Sequence, residues 1–224
     1  MTLVTLARAE DLFGKLRSED EQAPDRKFEV EPNSALEAII RSFERTLESR
    51  IGSAYRDAAE IHKGFTVRAE DIEKFSLICP SYGQNEIFNL AAFIYLNELI
   101  RSCCDPDIVI HTSRLKTPLS NLCRSNEDKN ITIYGDVGIH LGDRMKSGLV
   151  HVHGSAGDYV GEAMRGGEII IEGNAGPSIG PGMEDGTIRI NRDDLGLASS
   201  LGEGMTLGRI FYRGKLVVQH GVRL

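Results

Sequence analysis

Short apolar–polar alternations recur through the second half of the chain: "ITIY" at Ile131, "VHVH" at Val150, "IIIE" at Ile169, "IRIN" at Ile188 and "IFYR" at Ile210. Alternation with period two is the mark of strands that bury one face. It predicts an inward column at Ile131, Val150, Ile169, Ile188 and Ile210, and a second at Ile133, Val152, Ile171, Ile190 and Tyr212. Two outward columns follow: Thr132, His151, Ile170, Arg189, Phe211, and Tyr134, His153, Glu172, Asn191, Arg213. Leu141, Val160 and Ile179 mark a further apolar position. "IVIHTS", from Ile108, resembles "ITIYGD" without its glycine and reads as a degenerate opening coil.

The first half has a different grammar. Leu36, Ile39, Ile40, Phe43, Leu47 and Ile51 fall on one face of a helix. Ser34 and Glu37 fit a capping box at its start, and Gly64 after Lys63 suits its end, so one long helix is expected. A short helical element follows at "RAEDIEKFSLI", stopped by Pro80. "QNEIFNLAAFIYLNELIRSC" is apolar around most of its circumference, as in a buried helix. Residues 8–32 are charged and poor in apolar groups, which predicts a mobile or loosely docked arm.

Between the strands the glycines keep a step of 19 residues. Gly135, Gly154 and Gly173 form one column, and Gly138, Gly157 and Gly176 another. Gly142, Gly161 and Gly180 form a third, and Gly148, Gly167 and Gly186 a fourth. Met145, Met164 and Met183 keep the same step, and Met205 continues it between Gly202 and Gly208 after a three-residue insertion in "NRDDLGLASSLG". Strands that recur at so short a period stack into a parallel β-helix, with glycines at corners that need positive φ or close backbone approach. Methionine suits the irregular space inside those corners.

The spacing G-x-x-G-x-x-x-G-x-x-M-x-x-G, as in "GSAGDYVGEAMRGG" and "GNAGPSIGPGMEDG", resembles the GXGXG family over residues 131–221. That family includes the C-terminal domain of the glutamate synthase large subunit and the C-type subunit of formylmethanofuran dehydrogenase. "GRIFYRGKLVV" is similar to the closing coil of the dehydrogenase type. The resemblance implies a right-handed β-helix and membership of an oxidoreductase assembly in which other chains carry metal or flavin. It implies a scaffold rather than a catalyst, with no cofactor in this chain. A stand-alone glutamate-synthase-like protein, working with amidotransferase and synthase chains, is the alternative it leaves open.

Only four of the 24 glycines precede residue 131, and this shift supports a charged arm at 1–32, a helical domain at 33–106 and a β-helix domain at 107–224. The expected class is therefore α+β by segregation. A net charge of −7 argues against nonspecific binding to nucleic acid or an anionic membrane. The N-terminus "MTLVTLARAEDLFGKL" lacks a signal-peptide pattern and no long apolar run occurs, so a cytoplasmic location is expected. Cys79, Cys103, Cys104 and Cys123 have no metal-ligand spacing and read as unpaired thiols.

One constellation carries candidate chemistry. His151 and His153 lie two apart on one strand face, with Glu172 one coil beyond, a set that would suit a metal. The plainer reading is an exposed ladder in which His153 pairs with Glu172, while His140 lies on another face. The glycine-rich segments lack the lysine of a phosphate loop and a following helix. They also lack calcium-repeat periodicity, a six-residue period and a nucleophile elbow. At the ends, the helical half is expected to cap the first coil, whereas only "HGVRL" follows the last strand. Ile170 and Phe211 point outward, which predicts cover from the helices, a second copy or another protein chain.

Overall fold

The computed structural model describes residues 35–48, 54–60, 64–83, 85–192 and 200–224. The charged arm, Ser34 of the capping box, Ile51, Lys63 and the insertion at 193–199 lie outside the described residues. Four helices come first: α1 (Ala35–Glu48), α2 (Ala54–Glu60), α3 (Ala69–Ile78) and α4 (Glu86–Ser102). The expected single long helix is instead α1 and α2. Thr46 Oγ1 donates to Asp57 Oδ2 at 3.3 Å, whereas eleven residues of continuous helix would separate them by about 16 Å.

Local chemistry sets the other helix ends. Asn85 Oδ1 accepts from Phe88 N at 2.8 Å and caps α4. Asp71 Oδ2 accepts from Arg68 N at 2.9 Å at the start of α3, and Pro80 follows its end in a 3₁₀ turn, Cys79–Tyr82. The four helices enclose an aromatic cluster: Phe43 meets Phe75, Phe88 and Tyr95 edge-on, with centroids 5.1, 6.0 and 5.2 Å away. The Tyr95 hydroxyl is shared between Ser42 Oγ and Thr46 Oγ1, each at 2.8 Å, so its one polar atom is satisfied although the residue is fully buried.

The remainder is a parallel β-solenoid of about five turns. Strands β1 (Asp107–His111), β2 (Asn130–Tyr134), β3 (Leu149–Val152), β4 (Arg165–Ile171), β6 (Asp185–Ile190) and β8 (Arg209–Tyr212) pair in parallel in that order. Ile108 lies beside Ile131, then Val150, Ile169, Ile188 and Ile210. All are buried, as are Ile110, Ile133, Val152, Ile171 and Ile190 in the next inward column. The sequence pattern of alternation thus maps onto the strand register. A second, small sheet joins β5 (Ser178–Ile179) to β7 (Ser200–Leu201), with Leu141 and Val160 buried in the preceding coils.

The two ends are closed differently. Helix α3 packs on β1, and Ser76 Oγ accepts from His111 N at 3.0 Å. Lys129 Nζ donates to the Cys103 and Asp105 carbonyls at 2.7 and 3.1 Å, fastening the first coil to the end of α4. At the other end the expected closing coil "GRIFYRGKLVV" is an antiparallel hairpin, in which β9 (Lys215–Gln219) turns back along β8, and the short "HGVRL" after it adds β10 (Val222–Arg223), antiparallel to β9. The parallel edge that would template strand addition is taken up by the chain's own hairpin.

Each coil passes through left-handed backbone at alternate residues of one corner. Asn121, Cys123 and Ser125 have φ of 60°, 60° and 54°; His140, Gly142 and Arg144 have 60°, 67° and 53°. Tyr159, Gly161 and Ala163 repeat the triplet at 61°, 66° and 49°. Glycine holds the middle place from Gly142 onward for a second reason as well. A Cβ on Gly142 or Gly161 would lie 2.6 Å from Cδ1 of Ile169 or Ile188 respectively, 27 residues ahead. In the first coil that place belongs to Cys123, and the residue 27 ahead is Val150, which lacks a δ-methyl. The thiol therefore occupies space that the column's isoleucines fill in other coils.

This compensation predicts that Val150→Ile alone destabilises by about 1–3 kcal/mol through overpacking against Cys123. Val150→Ile with Cys123→Gly restores the pairing of later coils and recovers most of the loss. Denaturant unfolding of both single variants and the double variant measures the coupling, and a Val150→Ile protein as stable as the parent would sink the argument.

Candidate functional site

The solenoid interior is filled. Met145, Met164 and Met183 are fully buried, as are the strand isoleucines around them. A Cβ on Gly148 would stand 2.2 Å from the Lys129 carbonyl oxygen, so neighbouring coils touch backbone to backbone. Chemistry in this part of the molecule is left to side chains that the strands turn outward.

Because side chains alternate across a strand, parallel register sets outward residues in rows along the stack. One row runs Val109, Thr132, His151, Ile170, Arg189, Phe211. Beside it, the rings of His111, Tyr134 and His153 stack with centroid separations of 5.4 and 4.8 Å. His151 joins this group, its ring 4.3 Å from that of His153. Four rings from three rungs thus form one continuous cluster, and Tyr134 within it remains 44% exposed.

The carboxylate lies elsewhere than the plainer sequence reading placed it. His151, not His153, meets Glu172: Nε2 donates to Oε1 at 2.7 Å, and Asn191 Nδ2 donates to the other oxygen at 2.8 Å. The reason is reach. A diagonal neighbour on the same face of the next rung is within range of a long side chain, while stacking on Tyr134 directs the His153 ring. The hydrogen bonds from Asn191 and His151 hold the Glu172 carboxyl below the ordinary glutamate range. Among the described residues, no group of three or more His, Cys, Asp or Glu side chains is arranged to hold a metal ion.

Farther along the face, Glu168 Oε1 accepts from Arg189 Nε at 2.5 Å, and the same guanidinium lies 4.2 Å over the Phe211 ring. Phe211, under this guanidinium, and Ile170 are half-buried. His140 forms a separate pair, donating from Nδ1 to Glu162 at 2.6 Å and stacking on Tyr159 at 4.9 Å. His111 Nε2 approaches Glu73 of α3 at 3.4 Å, linking the ring cluster to the helices.

Burial keeps three of the four thiols protonated. Cys79 and Cys123 are buried, and desolvation pushes the Cys123 thiol up to about 12 and raises Cys79 as well. Cys103 is raised by the same cause. Among the described residues no helix is long and apolar enough to cross a membrane.

Sequence reasoning missed the part played by Tyr134 and His111, which the strand register brings beside His153. A stack across rungs has no local signature beyond shared position in the repeat. No family model matches the chain, and neither a curated protein nor a solved structure matches it.

The Glu172 contacts make a pH-dependent prediction. A lowered folded-state pKa stabilises the protein above the ordinary carboxylate range, and that contribution is lost as pH falls through the lowered value. Carbon-detected NMR titration should place Glu172 below an exposed glutamate, and Asn191→Ala should move it upward. An unchanged midpoint in the variant would show that Asn191 does not hold the carboxylate.

Proposed function

We infer that this chain is a noncatalytic scaffold component of an oxidoreductase assembly, similar in kind to the C-type subunit of formylmethanofuran dehydrogenase. In this reading the coil is a 19-residue unit wound right-handed, as crossovers between parallel strands generally are. The partner proteins carry the metal or flavin, and the assembly is cytoplasmic. The observation that carries the scaffold role is the combination of a filled interior with outward rows that hold exposed rings, Tyr134 and His153, beside half-buried Ile170 and Phe211 on rigid rungs. Such a face presents Tyr134, His153, Ile170 and Phe211 at fixed spacing, which suits protein docking with little ordering cost.

The GXGXG spacing supports placing the scaffold in an oxidoreductase. A stand-alone glutamate-synthase-like protein rests on the same spacing and differs in its partners. An autonomous metal site at His151, His153 and Glu172 finds less support, since Glu172 is already engaged by His151 and Asn191 and His153 is stacked on Tyr134.

Affinity capture of the tagged chain from its native host, with mass spectrometry of the bound proteins, tests this reading. The expected result is stoichiometric recovery of metal-dependent dehydrogenase chains, reduced at least tenfold by Ile170→Glu on the outward face. Recovery of glutamine-hydrolysing and synthase chains would transfer the scaffold to the glutamate-synthase branch and overturn the dehydrogenase assignment. A strict monomer by light scattering, with no oxidoreductase component recovered, would overturn the scaffold role.

A further inference from the structure

The three histidines of the outward face do not share one electrostatic setting. His111 Nε2 faces Glu73 of α3 at 3.4 Å, and His151 Nε2 faces Glu172 at 2.7 Å. An imidazolium at either place keeps a carboxylate beside it. His153 is exposed, and its ring lies against Tyr134 at 4.8 Å and His151 at 4.3 Å. Among the described residues it makes no hydrogen bond or ion pair.

The groups that face His153 are thus Tyr134 from the end of β2, His151 from β3 and, just past β4, Glu172. Tyr134 offers the face of its ring. His151 is a second imidazole, so its protonation adds a like charge. Glu172 feels His153 only through space, because its two oxygens are held by His151 and Asn191. Arg189, two rungs beyond His151, is paired with Glu168.

We propose that docking on this face is gated by protonation of His153, so that a partner bound at neutral pH is released in mild acid. The proposal rests on the scaffold reading, in which Tyr134 and His153 lie under the partner. Docking takes the His153 ring out of water. A neutral imidazole tolerates this, whereas an imidazolium with no carboxylate of its own is penalised by desolvation. The stack on Tyr134 is present before docking as well as after it, so it does not set the difference. His111 and His151 remain matched by Glu73 and Glu172, and the response belongs to one ring. For an imidazole of reference pKa about 6.5 that docks only when neutral, affinity falls about tenfold between pH 7.5 and pH 5.5.

The test captures oxidoreductase chains on the full tagged protein at pH 7.5 and measures their affinity there and at pH 5.5, with circular dichroism confirming the fold at both. The expected result is binding about tenfold weaker at pH 5.5, and a ratio below about threefold in His153→Phe, which keeps a ring on Tyr134 and takes up no proton. If the phenyl ring itself blocks docking at pH 7.5, His153→Gln, neutral and polar, decides by the same ratio. His140→Asn lies on another face, at a left-handed position that asparagine adopts, and should keep the full response. Equal affinity at the two pH values, tighter binding in acid, an undiminished response in the deciding variant or loss of the response in His140→Asn would overturn the gate and leave the scaffold standing. Failure to recover any oxidoreductase chain at pH 7.5 would instead overturn the scaffold reading, and the gate with it.

Discussion

Close contact between successive coil corners is the constraint on which the rest of this molecule depends. Parallel rungs about 4.8 Å apart leave no room for a Cβ where one coil's backbone rests on the carbonyl of the coil before it. Another corner must turn the chain through left-handed backbone at alternate residues. Glycine in the middle of that triplet takes the left-handed conformation and leaves room for an isoleucine side chain 27 residues ahead, while Asn, His, Tyr, Ser, Arg and Ala carry the left-handed conformation beside it. A non-glycine residue held there costs on the order of 1 kcal/mol or more, so the stacking must hold these residues in place.

That tight corner has consequences at the ends. A solenoid adds coils without limit unless its exposed edges are covered. Here the covering is unlike at the two ends: helices pack on β1, and an antiparallel hairpin completes the sheet beyond β8. The coil under the helices is also the one that leaves the repeat, with Cys123 in the glycine column and Asn126 in the methionine column. A first coil that meets helices faces a different surface from coils that meet only each other, and its residues are free to differ.

A filled interior moves any function to surfaces. The outward rows on the long sheet join imidazoles, a phenol, a guanidinium over a phenyl ring and a carboxylate held by two donors. These groups are fixed by strand register rather than by loops, so they present a rigid array with little freedom to close around a substrate. A groove beside α4 is the contrasting surface, open and lined by long charged side chains from a helix and a coil.

The sequence by itself determined the rungs. Alternation with period two, locked to repeated glycines, told which isoleucines and valines face inward and which residues face out, because one buried face leaves only one register. It also located α3 and α4, whose ends are set by a local carboxylate, an asparagine cap and a proline. Tertiary structure alone decided the rest. Whether residues 35–60 form one helix or two depends on packing against α4, which a face pattern common to both cannot reveal. Which histidine takes Glu172 depends on diagonal reach and on stacking with Tyr134 from another rung. The hairpin at β9 repeats the apolar pattern of a further coil, and only pairing direction distinguishes the two. Cys123 against Val150 and the buried side chain of Asn126 arise from volume and hydrogen bonding between coils, where no pattern along one strand carries the information.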